Sequence, residues 1–148
     1  MNVIRDEWTP LFQSLKEKVS PLGRKRLLFQ LIGDLQDISM LNFGDKGIDR
    51  PAVWAALTEK YAHEYKKGNR TPNLILKGNL LAGFVHQVGS DSATLTNITE
   101  YADAHQFGVG YKNLPARPFY PVDESGELTD LSKARQEEIV RGHFESLT

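Results

Sequence analysis

The first third of the chain carries apolar residues at helical spacing. Between residues 6 and 19 they recur every three or four positions, which predicts a first amphipathic helix. Ser20 and Pro21 follow, and these residue types suit the N-cap and the first position of a helix. A second apolar stripe then predicts a helix from Pro21 to about Leu41. Asparagine and glycine at 42–47 end it, because both adopt left-handed conformations at low cost.

A third apolar stripe predicts a helix from about Arg50 to Gly68. Asp49 precedes it as a suitable cap, and Pro51 lies in its first turn. The residues at helical spacing in this stripe are aromatic or aliphatic: Trp54, Leu57, Tyr61 and Tyr65. The polar residues 66–72 that follow indicate a surface connection.

The second half of the chain has the texture of strands and loops. Residues 84–88 and 93–99 are rich in β-branched and aromatic types and flank a Gly-Ser-Asp-Ser turn at 89–92, which predicts an antiparallel hairpin. Residues 101–106 favour a short helical turn. Three prolines hold 115–121 extended, and we expect this run at a sheet edge or an interface because proline lacks the N–H that a strand donates.

The order of these elements indicates an α+β fold, with N-terminal helices packed on a small antiparallel sheet and a C-terminal helix. The 148 residues match a single domain over 1–148, with 1–20 and 131–148 as candidates for arms. The apolar residues of 131–147 keep only approximate helical register. We therefore expect that helix to dock weakly or to meet a partner.

Composition excludes several classes of protein. The chain has no cysteine, which excludes disulfide scaffolds, thiolate zinc sites and thiol nucleophiles. Its 18 basic and 19 acidic residues give a net charge of −1, which argues against binding nucleic acid through a strong basic field. Its apolar runs are too short to span a bilayer and its first residues do not resemble a signal peptide, so we expect a cytoplasmic protein without a membrane partner.

The charge is nevertheless unevenly distributed. Residues 59–77 carry five basic and two acidic residues, a local charge of +3, whereas residues 113–148 carry four basic and seven acidic residues, a local charge of −3. The basic residues form a candidate patch: Lys60, Lys66, Lys67, Arg70 and Lys77. A nucleic-acid contact there is one reading, and a solvated face is the favoured one. Opposite patches suit subunits that meet head to tail.

Enzyme motifs find little support. His63-Glu64 begins like a zincin motif, but the second histidine would stand at position 67, which is Lys67. The chain has neither a Gly-x-Ser-x-Gly turn nor a phosphate loop, so we assign no catalytic residue, resident metal or cofactor. One alternative remains open: Glu100, Asp103 and His105 are spaced closely enough to supply metal ligands for a small metal-dependent enzyme.

Two motifs in the second half are similar to those of a known family. YADAHQFG at residues 101–108 and LPARPFY at 114–120 resemble the Tyr-Ala-x-x-His-Gln-x-Gly and Pro-Ala-Arg-Pro-Phe pattern of the phage virion morphogenesis family. That family includes phage tail-completion proteins and the Mu-like G proteins. The loop at 109–113 is shorter than the insert that family members often carry there.

This resemblance implies a non-enzymatic structural protein of a phage or prophage that acts in tail completion or head–tail joining. It implies an oligomeric ring, hexameric by analogy with tail symmetry, that contacts tail and neck proteins in the bacterial host cytoplasm and becomes a virion component. Nucleic acid is not an expected partner. The candidate interface residues lie in the two motifs: Tyr101, His105, Gln106, Phe107, Arg117, Pro118 and Phe119. The competing interpretation is that Tyr101, Phe107 and Phe119 fill the core beneath the sheet.

Overall fold

The structure, a computed structural model, describes residues 19–44, 47–68, 74–75 and 77–146. Within these ranges the chain has an α+β fold of helices and one two-stranded antiparallel sheet, as predicted. The elements are α1 (Pro21–Leu41), α2 (Glu59–Glu64), α3 (Asn79–Ala82), β1 (Phe84–Val88), β2 (Ala93–Asn97), α4 (Ala102–Phe107), a 3-10 helix (Gly110–Lys112) and α5 (Asp130–Glu145). The predicted helix at 6–19 lies outside the described residues, except for its last position.

Helix α1 confirms the second predicted helix at both ends. The Ser20 hydroxyl accepts a hydrogen bond from the Gly23 N–H at 3.1 Å, and Pro21 occupies the first turn. The C-cap is Asn42. One face of α1 is buried against the rest of the domain through Leu27, Leu28, Leu31, Ile32, Leu35 and Ile38.

The predicted hairpin is also confirmed. Strands β1 and β2 pair antiparallel, with Phe84 opposite Asn97 and Val88 opposite Ala93. β2 ends at Asn97 rather than at Thr99, because the Asn97 side chain accepts a hydrogen bond from the Thr99 N–H and donates one to the Leu80 carbonyl. These two bonds turn the chain towards α4.

The predicted helix at 50–68 is wrong over its first half. Residues 53–58 are not helical, and α2 begins only after Thr58, whose hydroxyl accepts from the Tyr61 N–H. The indole N–H of Trp54 donates to the Pro118 carbonyl at 2.8 Å. The carbonyls of Ala55 and Ala56 accept hydrogen bonds from the guanidinium of Arg117, so their oxygens are not used in an α-helical turn.

The proline-rich run at 115–121 does not lie at a sheet edge. Its second half passes through the core, and residues 117–122 are all buried without forming a strand. Phe119 is fully buried and packs with the rings of Phe43 and Phe84 at centroid distances of 5.3 and 5.7 Å. This aromatic cluster fills the space between α1 and the hairpin.

Helix α5 packs on α1 and is not an arm. Its side chains Gln136 and Val140 are buried, and the Gln136 amide donates to the Leu31 carbonyl at 3.3 Å. Arg135 forms an ion pair with Asp34 at 2.5 Å. The approximate helical register of the segment reflects a contact surface in which polar side chains share the buried face.

A buried asparagine joins the end of α1 to the loop at 48–49 and to the core-crossing segment, and Asp49 extends this network to α5. The Asn42 amide donates to the carbonyls of Asp49 and Phe119, both at 2.9 Å, and its oxygen accepts from the N–H groups of Ile48 and Asp49. The Asp49 carboxylate accepts from the Thr129 hydroxyl at the start of α5. Asp49 therefore caps no helix of its own but fixes the start of α5.

In the part of the chain that the structure describes, no helix is long and apolar enough to cross a membrane.

Candidate functional site

An open groove of about 450 Å³ lies between α2, α3, α4 and the loop at 113–117. Four separate stretches of sequence line it: Leu57, Thr58, Tyr61, Leu74, Lys77, Gly78, Asn79, Leu80, Tyr101, His105, Asn113, Leu114, Pro115 and Arg117. We call this cavity the docking groove. Its size lies within the range of sites that hold small ligands or a few side chains of a partner.

The walls of the docking groove are mainly apolar and aromatic. Leucines from three of the four stretches, together with Pro115, supply aliphatic surface. Tyr61 and Tyr101 are exposed and add aromatic rings to the lining. Such a surface is suited to burying apolar side chains while the tyrosine hydroxyls remain available for hydrogen bonds.

The charged groups of the docking groove are all basic. Lys77 is exposed and Arg117 is buried, and among the described lining residues His105 is the only other ionisable group besides the tyrosines. Glu100 and Asp103 lie close in sequence to Tyr101 and His105 but do not line the groove. The lining thus favours an occupant with negative charge.

The two sequence motifs build the framework behind this groove. The Gln106 side-chain oxygen accepts from the backbone N–H groups of Phe119 and Tyr120 at 3.0 and 3.1 Å. The Arg117 N–H donates to the His105 carbonyl at 2.7 Å. These bonds attach the core-crossing segment to α4, so the position of His105 in the groove depends on them.

Gly108 permits the close approach of these two segments. Its φ is +73°, a conformation that favours glycine. A Cβ at this position would lie 2.7 Å from the Ala116 nitrogen and 2.8 Å from the Leu114 oxygen. Both are backbone atoms, so the contact cannot be relieved by a side-chain movement.

Arg117 links the groove to the non-helical stretch before α2. Its side chain is 5% exposed, with Nε donating to the Ala55 carbonyl at 2.8 Å and Nη2 to the Ala56 carbonyl at 3.0 Å. Burial lowers the pKa of the guanidinium from its ordinary value, and the neighbouring Tyr61 opposes that shift. The cation therefore holds the backbone that leads into the groove wall.

His105 is half-buried in the lining of the groove. Its pKa lies below the ordinary value, first because of burial and second because of the positive charge of Arg117. Within the described residues its Nδ1 atom is buried and has no hydrogen-bond partner. The Tyr101 ring stands edge-on to the imidazole at a centroid distance of 5.9 Å.

The candidate interface residues divide into two groups. Tyr101 and Phe107 are 45% and 60% exposed, and His105 faces the groove, so these three can meet a partner. The other four are buried and instead hold the fold together: Gln106, Arg117, Pro118 and Phe119. The core-filling interpretation therefore holds for Phe119 and not for Tyr101 or Phe107.

The structure does not assemble the suggested metal ligands. Among the described residues, no group of three histidine, aspartate or glutamate side chains is placed to hold a metal ion. Glu100, Asp103 and His105 are all described, so their close spacing in sequence does not become a ligand cluster in the fold.

The basic patch is only partly a surface feature. Lys60, Lys67 and Lys77 are exposed, whereas Lys66 is buried and engaged in an interaction of its own. Arg70 lies outside the described residues. Of the patch, Lys77 alone lines the docking groove.

Sequence reasoning missed Tyr61, Tyr65 and Tyr111 as exposed aromatic residues, of which Tyr61 lines the groove. Tyr61 and Tyr65 lie four residues apart on and after α2, with ring centroids 5.1 Å apart. Their helical spacing had been interpreted as a core stripe. Tyr111 stands in the 3-10 helix and is 85% exposed. Tyr111 lies between Gly110 and Lys112, and these flanking residue types were the available signal of an exposed turn.

No protein-family profile matches the chain. No solved structure matches it either. The chain is similar to an uncharacterized protein of Methanocaldococcus jannaschii, with 31% identity over 117 residues, and the match covers 76% of this chain and 84% of the archaeal protein. The chain therefore belongs to the same protein family as this archaeal protein.

Proposed function

We propose that the protein is a non-enzymatic structural protein of a phage or prophage that acts in tail completion or head–tail joining as an oligomeric ring. Its partners are tail and neck proteins, which it meets in the host cytoplasm during assembly before it becomes a virion component. The resemblance of residues 101–108 and 114–120 to the phage virion morphogenesis pattern supports this role. So does the finding that these motifs build a framework beneath a surface suited to docking.

The observation that carries the proposal is the exposure of aromatic side chains along one continuous stretch. Tyr101 is the N-cap of α4, Phe107 is its last residue and Tyr111 lies in the 3-10 helix that follows, and each is at least 45% exposed. Aromatic residues are enriched in protein–protein interfaces, and fully burying a side chain such as Phe is worth about 2–3 kcal/mol. A partner that covers this stretch gains that free energy.

A ring needs two different surfaces on each subunit, because a head-to-tail contact joins unlike patches. The repeated contact closes into a ring only if the rotation between neighbouring subunits adds up to a full turn. The docking groove and its aromatic margin offer one such surface. The exposed carboxylates Asp123 and Glu124, which do not line the groove, offer a second surface of different chemistry. Assembly through these two surfaces requires no catalytic side chain.

Sedimentation velocity of the purified protein tests the proposal. We expect an oligomer whose population rises with protein concentration. The double variant Phe107→Ser, Tyr111→Ser should shift the equilibrium to monomer, because it removes the exposed aromatic surface. The matched control is Val53→Ser, since Val53 is 96% exposed in the stretch before α2 and does not line the groove.

A wild-type protein that sediments as a monomer at every concentration would count against ring assembly by this chain alone. An oligomer that the double variant Phe107→Ser, Tyr111→Ser leaves unchanged would show that another surface carries the contact. In either case the aromatic stretch would lose its assigned role.

A further inference from the structure

The docking groove presents positive charge, and none of its described lining residues carries a carboxylate. Lys77 is exposed at its margin, and Arg117 stands behind it with its charge unneutralised by any lining residue. An anionic group entering the groove would pair with the exposed Lys77 ammonium, and the positive charge of the buried Arg117 would add to the attraction.

The chain carries a protruding acidic turn of matching character. Val122 and Leu128 form an isolated bridge, and the five residues between them turn back through bonds from the Asp123 N–H to the Glu127 carbonyl and from the Gly126 N–H to the Asp123 carbonyl. We call residues 123–127 the acidic turn. It does not line the docking groove of its own chain.

The charges of this turn differ in their availability. The Asp123 carboxylate accepts from the Ser125 hydroxyl and the Glu127 N–H, and these bonds lower its pKa, so it stays ionised. Glu127 forms an ion pair with Lys133 at 3.2 Å. Glu124 is exposed at the tip and forms no ion pair with another described residue. Glu124 is thus the carboxylate most free to meet a second molecule.

We propose that the docking groove of one subunit receives the acidic turn of a second copy of this chain, with Glu124 placed against Lys77. This contact joins two different surfaces, so its repetition is head to tail, as a ring requires. The inference rests on the proposed function, whose oligomer it would explain. The apolar residues that flank the turn, Val122 and Leu128, are buried in their own chain, which makes the turn a rigid projection.

Charge reversal and charge exchange test this contact. Lys77→Glu and Glu124→Lys should each raise the protein concentration needed for half-assembly by at least about tenfold, because each places like charges together. The double variant Lys77→Glu, Glu124→Lys should restore assembly, since the pair is then reversed but again opposite. Sedimentation velocity at low and high salt measures all four proteins, and high salt should weaken the wild-type oligomer.

The matched controls are Lys25→Glu on α1 and Glu137→Lys on α5, both exposed and outside the groove. Each makes the same change of charge and should leave assembly within about twofold of wild type. Circular dichroism verifies that every variant folds.

The outcomes separate this contact from the ring itself. If wild type assembles and neither single variant weakens it, the contact is refuted while the ring survives. If the single variants weaken assembly but the exchange does not restore it, Glu124 and Lys77 do not meet and the proposed occupant is wrong. If wild type stays monomeric, both the ring and this contact fail.

Discussion

Replacing Arg117 with methionine should remove the bonds that hold the stretch before α2 out of helical geometry. Methionine keeps the unbranched apolar stem of the side chain as far as the position of Nε but donates no hydrogen bond. The Ala55 and Ala56 carbonyls, now bonded at 2.8 and 3.0 Å, lose their donor. Arg117→Lys keeps the positive charge but lacks the planar fork that reaches both carbonyls.

The expected loss of unfolding free energy is the cost of the lost hydrogen bonds, reduced by two offsetting effects. A hydrogen bond to a charged group contributes about 1.5–3 kcal/mol, so two such bonds set an upper limit near 6 kcal/mol. Ala55 and Ala56 are exposed, so water can rebond their carbonyls, and the cost of burying the cation disappears with it. We therefore expect Arg117→Met to lower the free energy of unfolding by about 2–3 kcal/mol and Arg117→Lys by about 1–2 kcal/mol.

Urea unfolding followed by tryptophan fluorescence measures these losses directly. The midpoint should fall with little change in the m-value, because the folded state remains compact. For a chain of this size the Met variant should melt about 8 °C lower than wild type. The control Arg141→Met removes an exposed arginine of α5 and should change stability by less than about 0.5 kcal/mol. If Arg117→Met changes stability no more than this control does, the buried guanidinium does not support the fold as described.

Two further predictions concern the neighbourhood of the groove. Gly108→Ala should destabilise the fold by more than about 2 kcal/mol in urea unfolding, because the added Cβ would meet the backbone of residues 114–116. The control Gly110→Ala should be nearly neutral, because its Cβ meets open space. Equal losses of stability in the two variants would contradict this prediction. Because the pKa of His105 is lowered in the folded state, the unfolded chain binds more protons just below the ordinary histidine value, so stability should fall as the pH drops through and below about 6.5. His105→Gln should reduce this loss, whereas His63→Gln, at an exposed position, should retain it; identical pH profiles for both variants would refute the assignment.

Local sequence signals predicted the elements whose structure depends on local contacts. Ser20 and Pro21 mark the start of α1 because capping involves only neighbouring residues. The Gly-Ser-Asp-Ser turn predicts the hairpin for the same reason, since the turn brings adjacent strands together. The α+β class followed from the order of these elements.

The errors came from contacts between distant parts of the chain. Residues 53–58 have a helical pattern, but Trp54 and the carbonyls beside it bond to Pro118 and Arg117, more than 60 residues away. A polar residue such as Gln106 is usually exposed, and only the fold shows that its oxygen bonds two backbone N–H groups in the core. The docking groove takes its lining from four stretches, which no periodicity brings together.

The role in virion assembly is tested most directly by disrupting the gene in an inducible phage or prophage and imaging the particles by electron microscopy. The account predicts full heads with unjoined or overlong tails, and restoration of infectious particles when the wild-type protein is supplied from a plasmid. Supplying the Phe107→Ser, Tyr111→Ser variant should not restore them, whereas Val53→Ser should. Infectious particles at normal yield after disruption would contradict the account.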